Sequence, residues 1–200
     1  MSRWRVEPTG EHLIWTHGAD GVPLDRLPPR AARWFRVWRR RLLARSDARG
    51  NARWWTLFRT EAAAHDVSRV IWADFGRQPR AAVLLPGDPT VPLNTCYAVR
   101  CHDARDAFAL AAILNSALAS AWLAAIAEPA RGGYRRYLGW TLSLLPLPSR
   151  WDVSRGDLAN AGERAFSGEP PGEPELLDIV VRSYGLRHRA VAALLDWSIR

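Results

Sequence analysis

Residues 103–127, DARDAFALAAILNSALASAWLAAIA, are the stretch whose reading decides the fold. Asp103 stands where a helix N-cap belongs: a short acceptor ahead of an apolar run can satisfy a free N–H of the first turn. Asp106 adds negative charge near the positive end of the helix dipole. The run from Ala104 to Ala127 therefore reads as one long helix. Its uncharged portion, residues 107–127, is about long enough to cross a bilayer, which takes roughly 20 apolar residues. The composition argues against a span. Alanine dominates, Asn115, Ser116 and Ser120 interrupt the run, and Asp106 and Glu128 flank it. A helix buried all round inside a protein core is expected, with no membrane partner.

Upstream, between residues 67 and 99, the apolar runs become short: Val70-Ile71-Trp72, Val83-Leu84-Leu85 and Cys96-Tyr97-Ala98-Val99. Gly76, Pro79, Pro86-Gly87, Pro89 and Pro92 break them. β-branched and aromatic residues in short runs between turn formers predict strands. Downstream, Gly132-Gly133 ends the unit, a helix-like stretch from Tyr134 to Leu145 runs into Pro146 and Pro148, and a Gly/Pro-rich linker covers Ser167 to Pro174. Two further helices, Pro174 to Tyr184 and Leu186 to Ile199, are expected to hinge at Gly185.

Nearer the N-terminus, Leu13-Ile14-Trp15 reads as a strand followed by an irregular connection. From Arg30 to Arg45, Ala31, Trp34, Phe35, Trp38 and Leu42 share one helix side while Arg33, Arg36 and Arg40 line the other. The expected fold is α+β: a small mixed or antiparallel sheet packed with the long buried Ala-rich helix, then a C-terminal helical hairpin. Residues 1–150 form the main domain in this reading and 151–200 the linker and hairpin.

The chain has 200 residues, 28 cations against 20 acidic residues, a net charge of +8 and a pI near 10.8. Every cation is arginine; lysine is absent. A phosphate-binding P-loop lysine, a Schiff base and a Ser-Lys nucleophile pair are excluded outright. Guanidinium groups suit bidentate contacts to phosphate and guanine, stack on planar bases and stay charged at all relevant pH. A basic domain of this kind points to a polyanion partner. Arg26 to Arg59 holds eleven arginines against Asp25, Asp47 and Glu61. That stripe is either a solvated face or a phosphate-contacting one.

Eleven tryptophans are present, with Trp34, Trp38, Trp54 and Trp55 among arginines. Aromatics interleaved with cations can stack bases. Trp34 and Trp38, sharing a face with Phe35 and Leu42, are expected to pack in the core instead. Only Cys96 and Cys101 occur, too few for a disulfide framework, and residues 1–15 lack an apolar signal-peptide core. A reducing, cytoplasmic setting is expected. Neither Cys96, Cys101 and His102 nor His12, His17 and Asp20 has a recognisable metal spacing, so no metal is expected.

Four segments carry a resemblance in order and spacing: Leu93-Asn94-Thr95-Cys96-Tyr97; Ala112-Ile113-Leu114-Asn115-Ser116; Gly132-Gly133-Tyr134-Arg135-Arg136-Tyr137; and Leu145-Pro146-Leu147-Pro148. Together they resemble the TaqI-like C-terminal specificity domain of adenine-specific DNA methyltransferases, found in restriction-modification enzymes. Trp54-Trp55 to Arg59, the strand from Val70 and Tyr184-Gly185-Leu186 are similar to further parts of that pattern. The resemblance implies a target-recognition module that selects sequence on double-stranded DNA while a separate catalytic chain or domain flips the adenine.

The family's catalytic half carries a glycine-rich S-adenosylmethionine loop and an Asn-Pro-Pro-Tyr or Asp-Pro-Pro-Tyr motif. Neither occurs here, so no catalytic residue is assigned and no cofactor is expected on this chain. S-adenosylmethionine belongs to the catalytic partner. Expected backbone contacts are Arg33, Arg36, Arg40, Arg131, Arg135 and Arg136. Tyr134 would shape the Gly-Gly turn, and Arg77 and Arg80, in a loop, would reach base edges. The alternative is a protein-interaction subunit in which the Ala-rich helix and the hairpin dock a partner and the arginines only solubilise.

Overall fold

The computed structural model describes every residue except 1, 2, 8, 19, 20, 49, 51, 52, 59 and 200. The chain divides into two compact units, Pro8–Ala64 and a larger one of Met1–Glu7 with His65–Arg200. The expected boundary at 150/151 is not where the division falls, because residues 151–200 pack within the larger unit.

In the smaller unit the expected strand at Leu13-Ile14-Trp15 does not form; the described backbone there makes only an isolated bridge, His17 to Pro23. Buried Thr16 organises the segment instead, its hydroxyl donating to the Trp55 carbonyl at 2.8 Å while the Trp55 indole donates to the Leu24 carbonyl at 3.0 Å. The expected helix from Arg30 to Arg45 divides into α1 (Pro29–Arg36) and α2 (Arg39–Leu43), broken at Val37-Trp38. Pro29 suits a first helical position, since its missing N–H would have had no partner there. The break falls where Arg36, Arg39 and Arg40 stand three and four apart, a like-charge spacing that disfavours continuity, and where β-branched Val37 restricts its own χ1. The expectation that Trp34 and Trp38 pack in the core is also corrected. Trp34 is 54% exposed, Val37 81% and Trp38 39%.

In the larger unit, β1 (Ser68–Ala73) precedes a two-residue strand β2 (Phe75–Gly76), then β3 (Ala81–Leu84) and β4 (Cys96–Cys101). β1 is the centre of an antiparallel sheet ordered β3-β1-β4, with Val70 opposite Val83 on one side and Val99 on the other. Trp4 extends the outer edge, its N–H donating to Ala81 and its carbonyl accepting from Val83. Alternation splits the faces: Val70 and Trp72 enter the main core, whereas Ile71 joins Ala82 and Leu84 in a small cluster behind the sheet. Arg69, on the Ile71 side, is buried and donates to the carbonyls of Asp88 at 2.8 Å and Thr90 at 3.1 Å. Burial lowers its pKa.

The Ala-rich run is two helices, α3 (Ala104–Leu114) and α4 (Ala117–Ile126), meeting at 68°. The single long helix expected from composition is thus corrected. Asp103 does cap α3, accepting from the Asp106 N–H at 2.8 Å. At the break, Ser116 Oγ caps α4 by accepting from the Ala119 N–H at 3.1 Å, and the Asn115 amide turns away to the sheet. Ser and Asn compete locally for backbone hydrogen bonds, which is why this pair ends one helix and starts another. Among the described residues no single helix is long and apolar enough to cross a membrane.

β5 (Glu128–Ala130) and β6 (Tyr134–Arg136) follow, then α5 (Gly139–Ser143), so the helix expected from Tyr134 to Leu145 begins instead as a strand. α6 (Trp151–Phe166) lies against α3 so closely that a Cβ at Gly162 would sit 2.3 Å from the Phe108 carbonyl oxygen. α7 (Glu173–Ser183) and α8 (His188–Ile199) are separated at Gly185 as expected, but they pack on α4 rather than along each other, so the expected hairpin is corrected to two helices hinged apart. The α+β class holds, with both described sheets antiparallel.

Candidate nucleic-acid interface

The second sheet, ordered β2-β6-β5, builds the site. The turn from β5 into β6 passes through Gly132 and Gly133 at φ +76° and +75°, a left-handed pair that side chains with a Cβ disfavour. The register then sets Phe75 opposite Arg136 and Gly76 opposite Arg135. Tyr137, wholly buried, anchors this ribbon to the core. Its N–H donates to the Asp74 carbonyl at 2.7 Å, its carbonyl accepts from the Trp72 indole at 2.8 Å, and its hydroxyl donates to the Arg77 carbonyl at 3.2 Å. Burial pushes the Tyr137 phenol up to about 12.

On that frame the Phe75 and Tyr134 rings stack at 4.7 Å between centroids and 7° between planes. The Arg77 guanidinium lies over the same Tyr134 ring at 5.6 Å. These groups border an open cleft of about 830 Å³. The β2–β3 loop supplies Arg77, Gln78 and Arg80 to it, the Gly-Gly turn supplies Gly133, β6 supplies Tyr134 and Arg135, α4 supplies Ser120, and α8 supplies Trp197 and Ser198. Phe75 and Trp197 are each 48% exposed, aromatic surface that the fold leaves facing solvent.

No protein-family model matches the chain, and no curated protein matches it.

Of the nine residues predicted to contact DNA, the structure brings Arg77, Arg80, Tyr134 and Arg135 into one cleft. Arg131 and Arg136 are exposed on the same β-ribbon. Arg33 and Arg36 on α1 and Arg40 on α2 are exposed in the smaller unit. None of the nine forms an ion pair with a described residue. The described ion pairs engage other arginines: Arg155 reaches Asp106 at 2.7 Å and Asp103 at 3.5 Å, Arg164 pairs with Glu175, Arg182 with Asp178, Arg3 with Glu173 and Arg53 with Asp25, while Glu128 stands opposite Arg136 in the β5–β6 register without an ion pair. Of the arginines near Gly185, Arg182 is thus engaged while Arg187 and Arg189 stay exposed.

His102, Asp103 and Asp106 come within 4.8 Å of one another, but the Asp103 carboxylate already caps α3, both carboxylates pair with Arg155, and the Asp106 carboxylate also accepts from the Trp151 indole. The Asp103 carboxyl is held below its usual range, chiefly by the Asp106 N–H it caps. His17 is buried against the Thr16 hydroxyl, His12 is exposed, and Asp20 and Arg59 lie outside the described residues. Cys96 and Cys101 are half-buried and unpaired by disulfide, and burial raises both thiols, Cys101 to about 11. Raised thiols are poor nucleophiles and poor metal ligands. Sequence reasoning did not single out Phe75, Ser120 or Trp197. Phe75 lies beside the Gly76 turn, which was a visible signal; the approach of α8 to the loop had none.

Proposed function

We propose that the chain is a target-recognition module for double-stranded DNA, serving a restriction-modification adenine methyltransferase whose catalytic, S-adenosylmethionine-binding part lies on a partner chain in the cytoplasm. The observation that carries the reading is the grouping of Arg77, Arg80 and Arg135 with Tyr134 in one cleft, without a carboxylate partner among the described residues. Unpaired guanidinium groups gain most from phosphate, because each contact releases counterions condensed on the duplex. Arg131 and Arg136 extend the positive ribbon, and Arg33, Arg36 and Arg40 offer a second set of phosphate contacts. Phosphate contacts hold the register, and loop arginines such as Arg77 and Arg80 are suited to guanine edges in the major groove.

The test is fluorescence anisotropy of a labelled duplex titrated with the 200-residue chain across 50–200 mM salt. Under this reading the logarithm of affinity falls linearly with the logarithm of salt, with a slope of about −0.9 per phosphate contact. Affinity independent of salt removes the reading. A protein-interaction subunit is the second reading, favoured by Trp34, Val37 and Trp38 exposed on and between α1 and α2. Capture of the purified methyltransferase by a chain with no affinity for DNA would select it.

A further inference from the structure

We propose that the cleft between the β2–β3 loop and α8 receives one nucleotide unstacked from the helix, its base against the aromatic groups and its phosphate on the arginines. The proposal rests on the nucleic-acid reading above and narrows it to a ligand state. A surface that only follows a duplex backbone needs cations spread along a strip and has no use for a recess walled by aromatic rings. Here three exposed aromatic side chains, Phe75, Tyr134 and Trp197, border one recess with three arginines. Phe75, Tyr134 and the Arg77 guanidinium already form a partial stack of planar groups, at 4.7 Å and 5.6 Å from the Tyr134 ring. A base adds to such a stack by the same π contact, with little dependence on its identity.

The volume agrees as well. About 830 Å³ lies within the usual range of ligand clefts. Arg80 and Arg135 are free of described carboxylates and supply the forked donors that a phosphodiester accepts. The β-ribbon is rigid at this point because Tyr137 ties it to Trp72, Asp74 and Arg77. The recess is therefore preformed, which reduces the ordering lost on binding.

The experiment compares three probes with the full chain: an intact duplex, the same duplex carrying one bulged 2-aminopurine, and a single-stranded hexathymidylate. Anisotropy gives affinities and 2-aminopurine fluorescence reports stacking. The expected result is roughly tenfold tighter binding of the bulged than the intact duplex, with quenching, since aromatic stacking contributes on that order per base. Phe75→Ala and Trp197→Ala should each remove that preference and the quenching while leaving intact-duplex affinity within about twofold, and Tyr134→Phe should retain both. Equal affinity for bulged and intact duplexes overturns the nucleotide cleft and leaves target recognition standing. Loss of bulged and intact binding together in both alanine variants also overturns it, by assigning the rings to the duplex surface. No binding of any probe overturns both readings.

Discussion

Asn115 holds the backbone of Ala81 with both ends of its amide: Oδ1 accepts from the Ala81 N–H and Nδ2 donates to the Ala81 carbonyl, each at 2.9 Å. Both residues are fully buried. One side chain thereby joins the helix break to the start of β3. Asn115→Ala leaves the Ala81 N–H without this partner in a dry site, while the Ala81 carbonyl keeps the bond from the Trp4 N–H. A loss of roughly 1–3 kcal/mol is expected, read as a lower urea midpoint with an unchanged slope. A variant as stable as the parent would show that this clamp does not hold the break.

Two glycines of α6 predict opposite outcomes. A Cβ at Gly162 meets the Phe108 carbonyl oxygen at 2.3 Å, whereas one at Gly156 meets nothing within 4 Å. Gly162→Ala must push α6 off α3 and should destabilise by roughly 1–3 kcal/mol. Gly156→Ala restricts the unfolded chain at no steric cost and should stabilise by about 0.4–1 kcal/mol. Thermal melts of the two variants side by side decide it; the same sign for both contradicts the packing described.

Salt dependence separates engaged arginines from free ones. Arg80→Gln and Arg135→Gln should each reduce the steepness of the salt dependence of duplex binding by about one unit. Arg155→Gln removes the same charge from a residue already held by Asp103 and Asp106 and should leave the slope unchanged. Three equal slopes would mean that net charge alone governs binding, and the cleft would lose its special standing.

Alkaline pH should weaken the fold. Burial raises Cys101 to about 11, and Tyr137 and Tyr184 each to about 12. Free thiols titrate near 8.5 and free phenols near 10. Between about pH 8.5 and 12 the folded chain keeps protons that the unfolded chain has released, so stability falls as pH rises. Cys101→Ala should lose less stability between pH 8 and pH 10.5 than the parent, as followed by denaturant unfolding at each pH. Parallel decline of the two would sink the assignment to this thiol.

Much of the fold was legible because local chemistry and tertiary packing agree. The strands at Val70-Ile71-Trp72, Val83-Leu84 and Cys96–Val99, the cap at Asp103 and the helix break at Gly185 all lie where apolar runs and turn formers placed them. Leu13-Ile14-Trp15 misled because a strand needs a neighbour, and the Gly/Pro-rich residues around it provide none. Trp34 and Trp38 misled because helical periodicity shows that a face is apolar without showing that anything covers it. The Asn115-Ser116 break was present as an interruption in the alanine run, but only the partner at Ala81 turned that interruption into a 68° bend.

The same division holds at the site. Lysine-free cationic charge and the Gly132-Gly133 turn follow from residue identity, since a guanidinium is always charged and a left-handed turn selects for residues without a Cβ. Which arginines stay free of carboxylates was decided by tertiary structure. So was the meeting of Phe75, Tyr134 and Trp197, which are 59 and 63 residues apart along the chain, around one recess. Charge is a property of single side chains, whereas a cleft exists only once distant segments have been packed into contact.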